Sequence, residues 1–187
     1  MSEESLKYIP FARKYRSTNF SELMGQEVLV KTLSYCIANN RLASAYLLTG
    51  IRGVGKTSSA RIIAKTVNCT DLSSHGEQIA PCEKCKNCIS CTKQNHPDII
   101  EIDAASRTGV DDIREIIESS EYKPLLGAYK FFIIDEIHNI LAGSTHKQRE
   151  FLNILRFLGN ELQLPIVGVG IKDAYLAIRS DDQLENR

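Results

Sequence analysis

One eight-residue run, Gly50-Ile51-Arg52-Gly53-Val54-Gly55-Lys56-Thr57, constrains what this chain can fold into more than any other feature. It fits G-x-x-x-x-G-K-T, whose glycines let successive backbone N–H groups turn inward around phosphates without Cβ clashes. The flanks agree with the motif. Ala45–Thr49 is a short apolar run ending at Gly50, which reads as a buried strand, and Thr57–Val67 resumes helical periodicity. A strand, a glycine-rich loop and a helix in that order aim the positive end of the helix dipole at an anion. Residues 50–57 therefore form a candidate ATP cradle, with Lys56 reaching the terminal phosphates and the Thr57 hydroxyl coordinating Mg²⁺. Outside this context the run would be a glycine-rich turn with a solvated lysine.

A second segment supplies the partner such a loop needs. Phe131, Phe132, Ile133 and Ile134 form an apolar run, read together with Lys130 as a strand, that ends in Asp135 and Glu136. Acids at the carboxyl edge of a parallel sheet sit where ligands of such sheets bind. Asp135 is the candidate to hold Mg²⁺ through water. Glu136, with Lys56, is the candidate catalytic group, orienting or deprotonating an attacking water. Taken alone, the pair would be two solvated acids at a strand end.

The remaining pattern fills in an α/β domain. Val28–Asn39 and Val110–Ser119 carry apolar residues at helical spacing, and Ile99–Asp103 and Ile166–Val169 read as strands. Thr145 and Gln148 form a candidate capping box for a helix with Phe151, Leu152, Leu155, Leu158 and Leu162 on one face; Asp173 is a candidate cap for a last helix. Thr70–Ala80 reads as loop. Strands alternating with helices point to a parallel sheet. The 187 residues suit one domain, and the formal net charge of zero offers no global basic field for nucleic acid. No stretch is long and apolar enough to cross a membrane, and Met1–Lys7 lacks the apolar core of a secretion signal. A cytoplasmic protein with reduced thiols is expected.

Five of the six cysteines lie between Cys69 and Cys91. Cys82, Cys85, Cys88 and Cys91 recur with two residues between neighbours, and Cys69 lies upstream. Thiolates so spaced suit tetrahedral Zn²⁺, for which five cysteines compete for four places. An iron–sulfur cluster is the rival, and free thiols are the bland alternative. His75 and His96 could stand in as ligands, although lone loop histidines are more often simply solvated.

On these residues the chain resembles the N-terminal ATPase module of the bacterial DNA polymerase III gamma/tau subunit, from about Phe11 to Asp135. The resemblance is carried by Ala12-Arg13-Lys14-Tyr15-Arg16, Gly25-Gln26, Arg52 to Thr57, Asn68-Cys69, Pro81-Cys82 through Cys88, and Glu101 to Arg107. It implies an AAA+ P-loop NTPase core over residues 1–187 with a zinc module inserted at 69–91. The zinc ligands it implies are Cys69, Cys82, Cys85 and Cys88, with Cys91 spare. It implies that Arg13–Arg16 border the adenine pocket, where Ser17 replaces the usual proline. The working assembly implied is a hetero-pentameric clamp loader. Its other subunits and the sliding clamp would be the partners, primer–template DNA would be met through the assembly, and no membrane would be involved.

Beyond about residue 136 the likeness changes. Ile137 to Ser144, Gln148 to Asn153, Pro165 to Gly170 and Gln183 to Arg187 are similar to transposon-encoded AAA+ ATPases of the TniB type. Ile171 stands near the position where the family places a polar sensor, and Arg187 resembles an arginine finger. The AAA+ strand order 5-1-4-3-2 and the four strands read here imply a domain truncated before the fifth strand and the helical lid, with Ala45–Thr49 at a sheet edge. The expected function is that of an ATP-binding clamp-loader subunit, an ATPase by family without a polymerase site of its own, with weak turnover in isolation. The alternatives are a TniB-like transposition ATPase or an inactive remnant that only binds nucleotide.

Overall fold

A computed structural model of the chain describes residues 11–75, 78–104, 117–141 and 164–172, with 149, 152, 153, 155, 157, 159 and 174. Its centre is a four-stranded parallel sheet. The strands are β1 (Ala45–Thr49), β4 (Ile99–Asp103), β5 (Phe131–Asp135) and β6 (Ile166–Gly170), ordered β1-β6-β5-β4. Among the described residues β1 forms one edge of this sheet. A two-stranded hairpin, β2 (Ser73–His75) with β3 (Gln78–Ala80), stands apart within the stretch expected to be loop.

The run of four apolar residues in β5 is explained by burial on both faces. Phe131 and Ile133 face a cluster with Val30, Leu33, Ile62 and Ile63, whereas Phe132 and Ile134 face one with Ile102, Ile137 and Leu152. A half-exposed strand would have alternated polar and apolar; a central parallel strand cannot. The first cluster is supplied by α2 (Glu27–Ala38) and α3 (Lys56–Val67). Leu152 belongs to the second and Leu155 packs against it, as the apolar spacing there predicts; Phe157, outside the expected face, packs against it too. The short α1 (Phe11–Lys14) and a turn of 3₁₀ helix at Phe20–Glu22 precede α2, and α4 (Lys86–Thr92) follows the hairpin.

Two features set the site's position. The β6 glycines admit Ile137 against the sheet: a Cβ at Gly170 would come within 2.9 Å of Ile137 Cγ2 and of Ala174 Cβ. Ile137 also donates its N–H to Val169 O at 3.0 Å, which turns the chain sharply after Asp135. The observed strands begin or end one residue from the expected ones, at Phe131 rather than Lys130 and at Gly170 rather than Val169. The Val110–Ser119 helix lies largely outside the described residues, as do the Thr145 and Gln148 cap, Asp173 and Arg187.

Candidate nucleotide site and cysteine cluster

The loop between β1 and α3 has the backbone that its glycines foretell. Gly53 sits at φ 83°, and Gly55, the N-cap of α3, at φ 90° and ψ 14°. Any other L-residue would be strained at these angles. Ile51 is 74% exposed and Val54 and Arg52 are also exposed, so the loop contributes backbone rather than side chains to the interior. Lys56 bends back over it, donating to Gly50 O at 3.0 Å and Ile51 O at 2.7 Å. Beside the loop, a cavity of about 240 Å³ is lined by Gln26, Leu29, Leu47, Val54, Lys56 and Ser59, among others.

The Thr57 hydroxyl donates to Asp135 Oδ2 at 2.8 Å, across 78 residues of sequence. This bond joins the first turn of α3 to the end of β5. Glu136, next in the chain, adopts φ 53°, a conformation costly for a residue with a Cβ. Its N–H donates to Asp135 Oδ1 at 2.9 Å, and its carboxylate meets Arg52 Nη2 at 3.4 Å and His138 Nε2 at 3.2 Å. Neither of these carboxylate neighbours was legible in sequence, because Arg52 lies 84 residues away and His138 carries no motif.

Of the five clustered cysteines the structure brings four together. Ligand atoms of Cys69, Cys82, Cys85 and Cys88 all lie within 4.8 Å of one another, with Cys82 and Cys88 Sγ 4.0 Å apart. A zinc tetrahedron with bonds of about 2.3 Å has sulfur–sulfur edges of about 3.8 Å, so the set is spaced to take a metal ion. The sulfurs are far beyond disulfide distance, and all six cysteines are free. Backbone N–H groups of Cys82, Cys85 and Cys88 donate to Cys69, Cys82 and Cys85 Sγ at 3.3, 3.3 and 3.4 Å. Burial pushes the Cys85 thiol up, but hydrogen bonds from Thr70 and Cys88 outweigh it and hold it at about 6. Burial drives the Cys69 and Cys88 thiols upward. Cys91 stands outside the set, raised by burial to about 12.

Buried polar groups pin the surrounding loops. Asp98, with no exposed surface, accepts N–H bonds from Leu125, Leu126 and Gly127 at 2.6 to 2.7 Å. Asn68, the C-cap of α3 beside Cys69, accepts from Tyr129 N at 2.8 Å, and its carbonyl accepts from Asn87 Nδ2 at 2.5 Å. The expectation of a solvated His96 is corrected: it is buried, 6% exposed, in the turn that precedes Asp98. Lys14 and Arg16 lie beside the distal half of α3, near Arg61 and Lys65, and not among the residues lining the cavity at the loop. Ile171 directly follows β6, half-buried.

Comparison with known proteins gives two family matches. The model described as DNA polymerase III, delta subunit, matches residues 25–147, and that described as bacterial TniB protein matches residues 125–187. The chain is 40% identical over 168 residues to DNA polymerase III subunit tau/gamma of Haemophilus influenzae, covering 86% of this chain and 24% of that protein. It is 36% identical over 168 residues to subunit tau of Escherichia coli, covering 86% and 26%. To subunit tau of Bacillus subtilis it is 40% identical over 139 residues, covering 74% and 24%. The chain thus spans about a quarter of the length of these curated relatives.

Proposed function

Because this chain belongs to the DNA polymerase III gamma/tau family of clamp-loader subunits, we propose that it is an AAA+ module binding ATP and Mg²⁺ at the loop 50–57 and coupling that binding to sliding-clamp loading. The observation that carries the reading is the Thr57–Asp135 hydrogen bond at the mouth of a loop whose glycines hold positive φ. It brings the two groups that would hold Mg²⁺ together at the N-terminus of a helix.

In this reading the backbone N–H groups of 50–56 and the Lys56 ammonium bind the phosphates. Lys56 exchanges its bonds to the Gly50 and Ile51 carbonyls for stronger charge-assisted ones. Mg²⁺, when bound, neutralises phosphate charge. Glu136 positions the attacking water and accepts its proton, once released from Arg52 and His138. Cys69, Cys82, Cys85 and Cys88 hold a structural Zn²⁺, the four-thiolate set leaving no open position. Other loader subunits, the clamp and primer–template DNA are the proposed partners, in the cytoplasm, within a pentameric assembly. The TniB match over residues 125–187 favours a second reading, a transposition-type ATPase built on the same nucleotide site.

Titration with a fluorescent ATP analogue, with and without Mg²⁺, tests the proposal. Wild type is expected to bind, and Lys56→Ala to lose about 30-fold or more in affinity, the worth of a hydrogen bond to a charged group. Equal binding by the two proteins would refute the site. Capture of clamp-loader subunits rather than transposase would favour the first reading over the second.

A further inference from the structure

Glu136 is held from two sides, and the two neighbours differ in kind. Arg52 Nη2 and His138 Nε2 meet the same carboxylate oxygen, Oε2, at 3.4 and 3.2 Å. An ionised carboxylate only accepts, so both neighbours donate, and one of its oxygens has two lone-pair sites for them to fill. With both in place Oε2 has none left for a water.

The backbone beneath this carboxylate is fixed. At φ 53°, Glu136 donates its N–H to Asp135 Oδ1 at 2.9 Å, and its carbonyl accepts the Asn139 N–H at 2.9 Å. Asp135 in turn accepts the Thr57 hydroxyl on its other oxygen. Opening the contacts on Oε2 is therefore a matter of side chains. His138 is the fixed neighbour: its side chain is 12% exposed, with Nδ1 buried. Arg52 is the movable one. Its side chain is 76% exposed and belongs to the phosphate loop itself. An exposed ion pair of this length contributes little to stability and is easily exchanged. In the pattern G-x-x-x-x-G-K-T, Arg52 fills a position open to any residue, so the motif gives it no task.

The difference between the neighbours limits what can release the carboxylate. A ligand shifts such an equilibrium only by what it binds differently in the two states. Phosphates held by the loop's N–H groups and Lys56 leave Arg52 on Glu136, because nothing there competes for the guanidinium. A phosphate lying beside Glu136 does compete. It carries more charge than a carboxylate and takes two guanidinium N–H groups at once. In the nucleotide reading, the phosphate beside Glu136 is the one its water attacks, the γ-phosphate, which ATP has and ADP lacks.

Resting on the assignment of residues 50–57 as an ATP site, we propose that Arg52 reads the γ-phosphate. With the loop empty or holding ADP, it stays on Glu136; with ATP bound, it moves onto the γ-phosphate and so frees Glu136 to take the water. The test titrates wild type, Arg52→Gln and Arg52→Lys with MgADP and with the β,γ-imido analogue of ATP plus Mg²⁺, by calorimetry. The ¹⁵N guanidinium signal of Arg52 is followed in the wild type. Arg52→Gln is expected to weaken the analogue about tenfold or more and MgADP less than about twofold. Arg52→Lys keeps the charge without the fork, and should recover part of that loss. The Arg52 signal should shift with the analogue and stay in place with ADP. The proposal is overturned, and the ATP site left standing, if Arg52→Gln weakens both nucleotides equally or neither, or if ADP moves the Arg52 signal as far as the analogue does. Failure of the wild type to bind either nucleotide would instead refute the ATP site, and the role of Arg52 with it.

Discussion

Glu136 combines a strained backbone with a carboxylate held by two neighbours, which is what a poised rather than a purely structural acid would show. Replacing it by Gln keeps its shape and removes its basicity. Glu136→Gln is therefore expected to bind ATP normally and to lose about 10²–10⁴ in turnover, measured by phosphate release under saturating nucleotide. Asp98 is the opposite kind of acid, structural and hidden. Burial raises it, but three backbone N–H bonds outweigh burial and hold it below its ordinary value of about 3.9. A lowered folded pKa means that its contribution is complete above about pH 3.9 and fades as pH falls through the folded value. Asp98→Asn turns an NH₂ toward donors, and should cost about 2–4 kcal/mol, or about 5–15 °C in melting temperature at neutral pH. The difference should shrink as the pH of the melts is lowered below 4. These two acids also mark what sequence can reveal. Glu136 is legible because an apolar strand ending in acids is a local pattern. Asp98 is not, since the three amides it serves lie 27 to 29 residues downstream.

At the scale of elements, the phosphate loop and its flanking β1 and α3 were legible because strand, turn and helix are contiguous and each has its own period. The hairpin Ser73–Ala80 was not. Among its described residues Ile79 alone is buried and apolar, which gives no alternation to read, and the strand is held from outside, Ile79 N–H donating to Ser34 Oγ at 3.3 Å. The cysteines fall between: their spacing announced a metal set yet excluded none of the five, the resemblance left Cys91 spare, and the chain path takes Cys91 outside the four that come together. Because no large apolar cluster sits among the described residues of 69–91, a metal on the four cysteines is expected to hold that module together. Chelation should therefore expose α4 to hydrogen exchange while the amides of β5 and β6 stay protected. Uniform loss of protection would show instead that the metal holds the whole domain.

At the scale of the molecule, the 23 basic and 23 acidic side chains balance, so no net positive charge draws the domain to nucleic acid. Alone, it is expected to bind duplex or primed DNA more weakly than about 10 µM at 0.15 M salt, measured by fluorescence anisotropy. Nanomolar binding there would mean that the basic residues form a surface the net charge conceals. Sheet order was legible through the strand pattern and the resemblance together, whereas the contacts on Glu136 required coordinates, since Arg52 lies 84 residues away.

The twelve residues of α3 run from the phosphate loop to Asn68, next to Cys69 of the proposed metal set. Such a helix is about 18 Å long and resists bending, so it acts as an axle with a different hub at each end. Asn68 and the Asn87 amide clamp one hub, and the Thr57–Asp135 bond seats the other. Slack introduced at the metal hub should therefore be felt at the phosphates. Stripping a metal from the four cysteines is expected to weaken ATP-analogue binding severalfold although none of them lines the cavity at the loop, and binding unchanged after chelation would show that the axle turns freely.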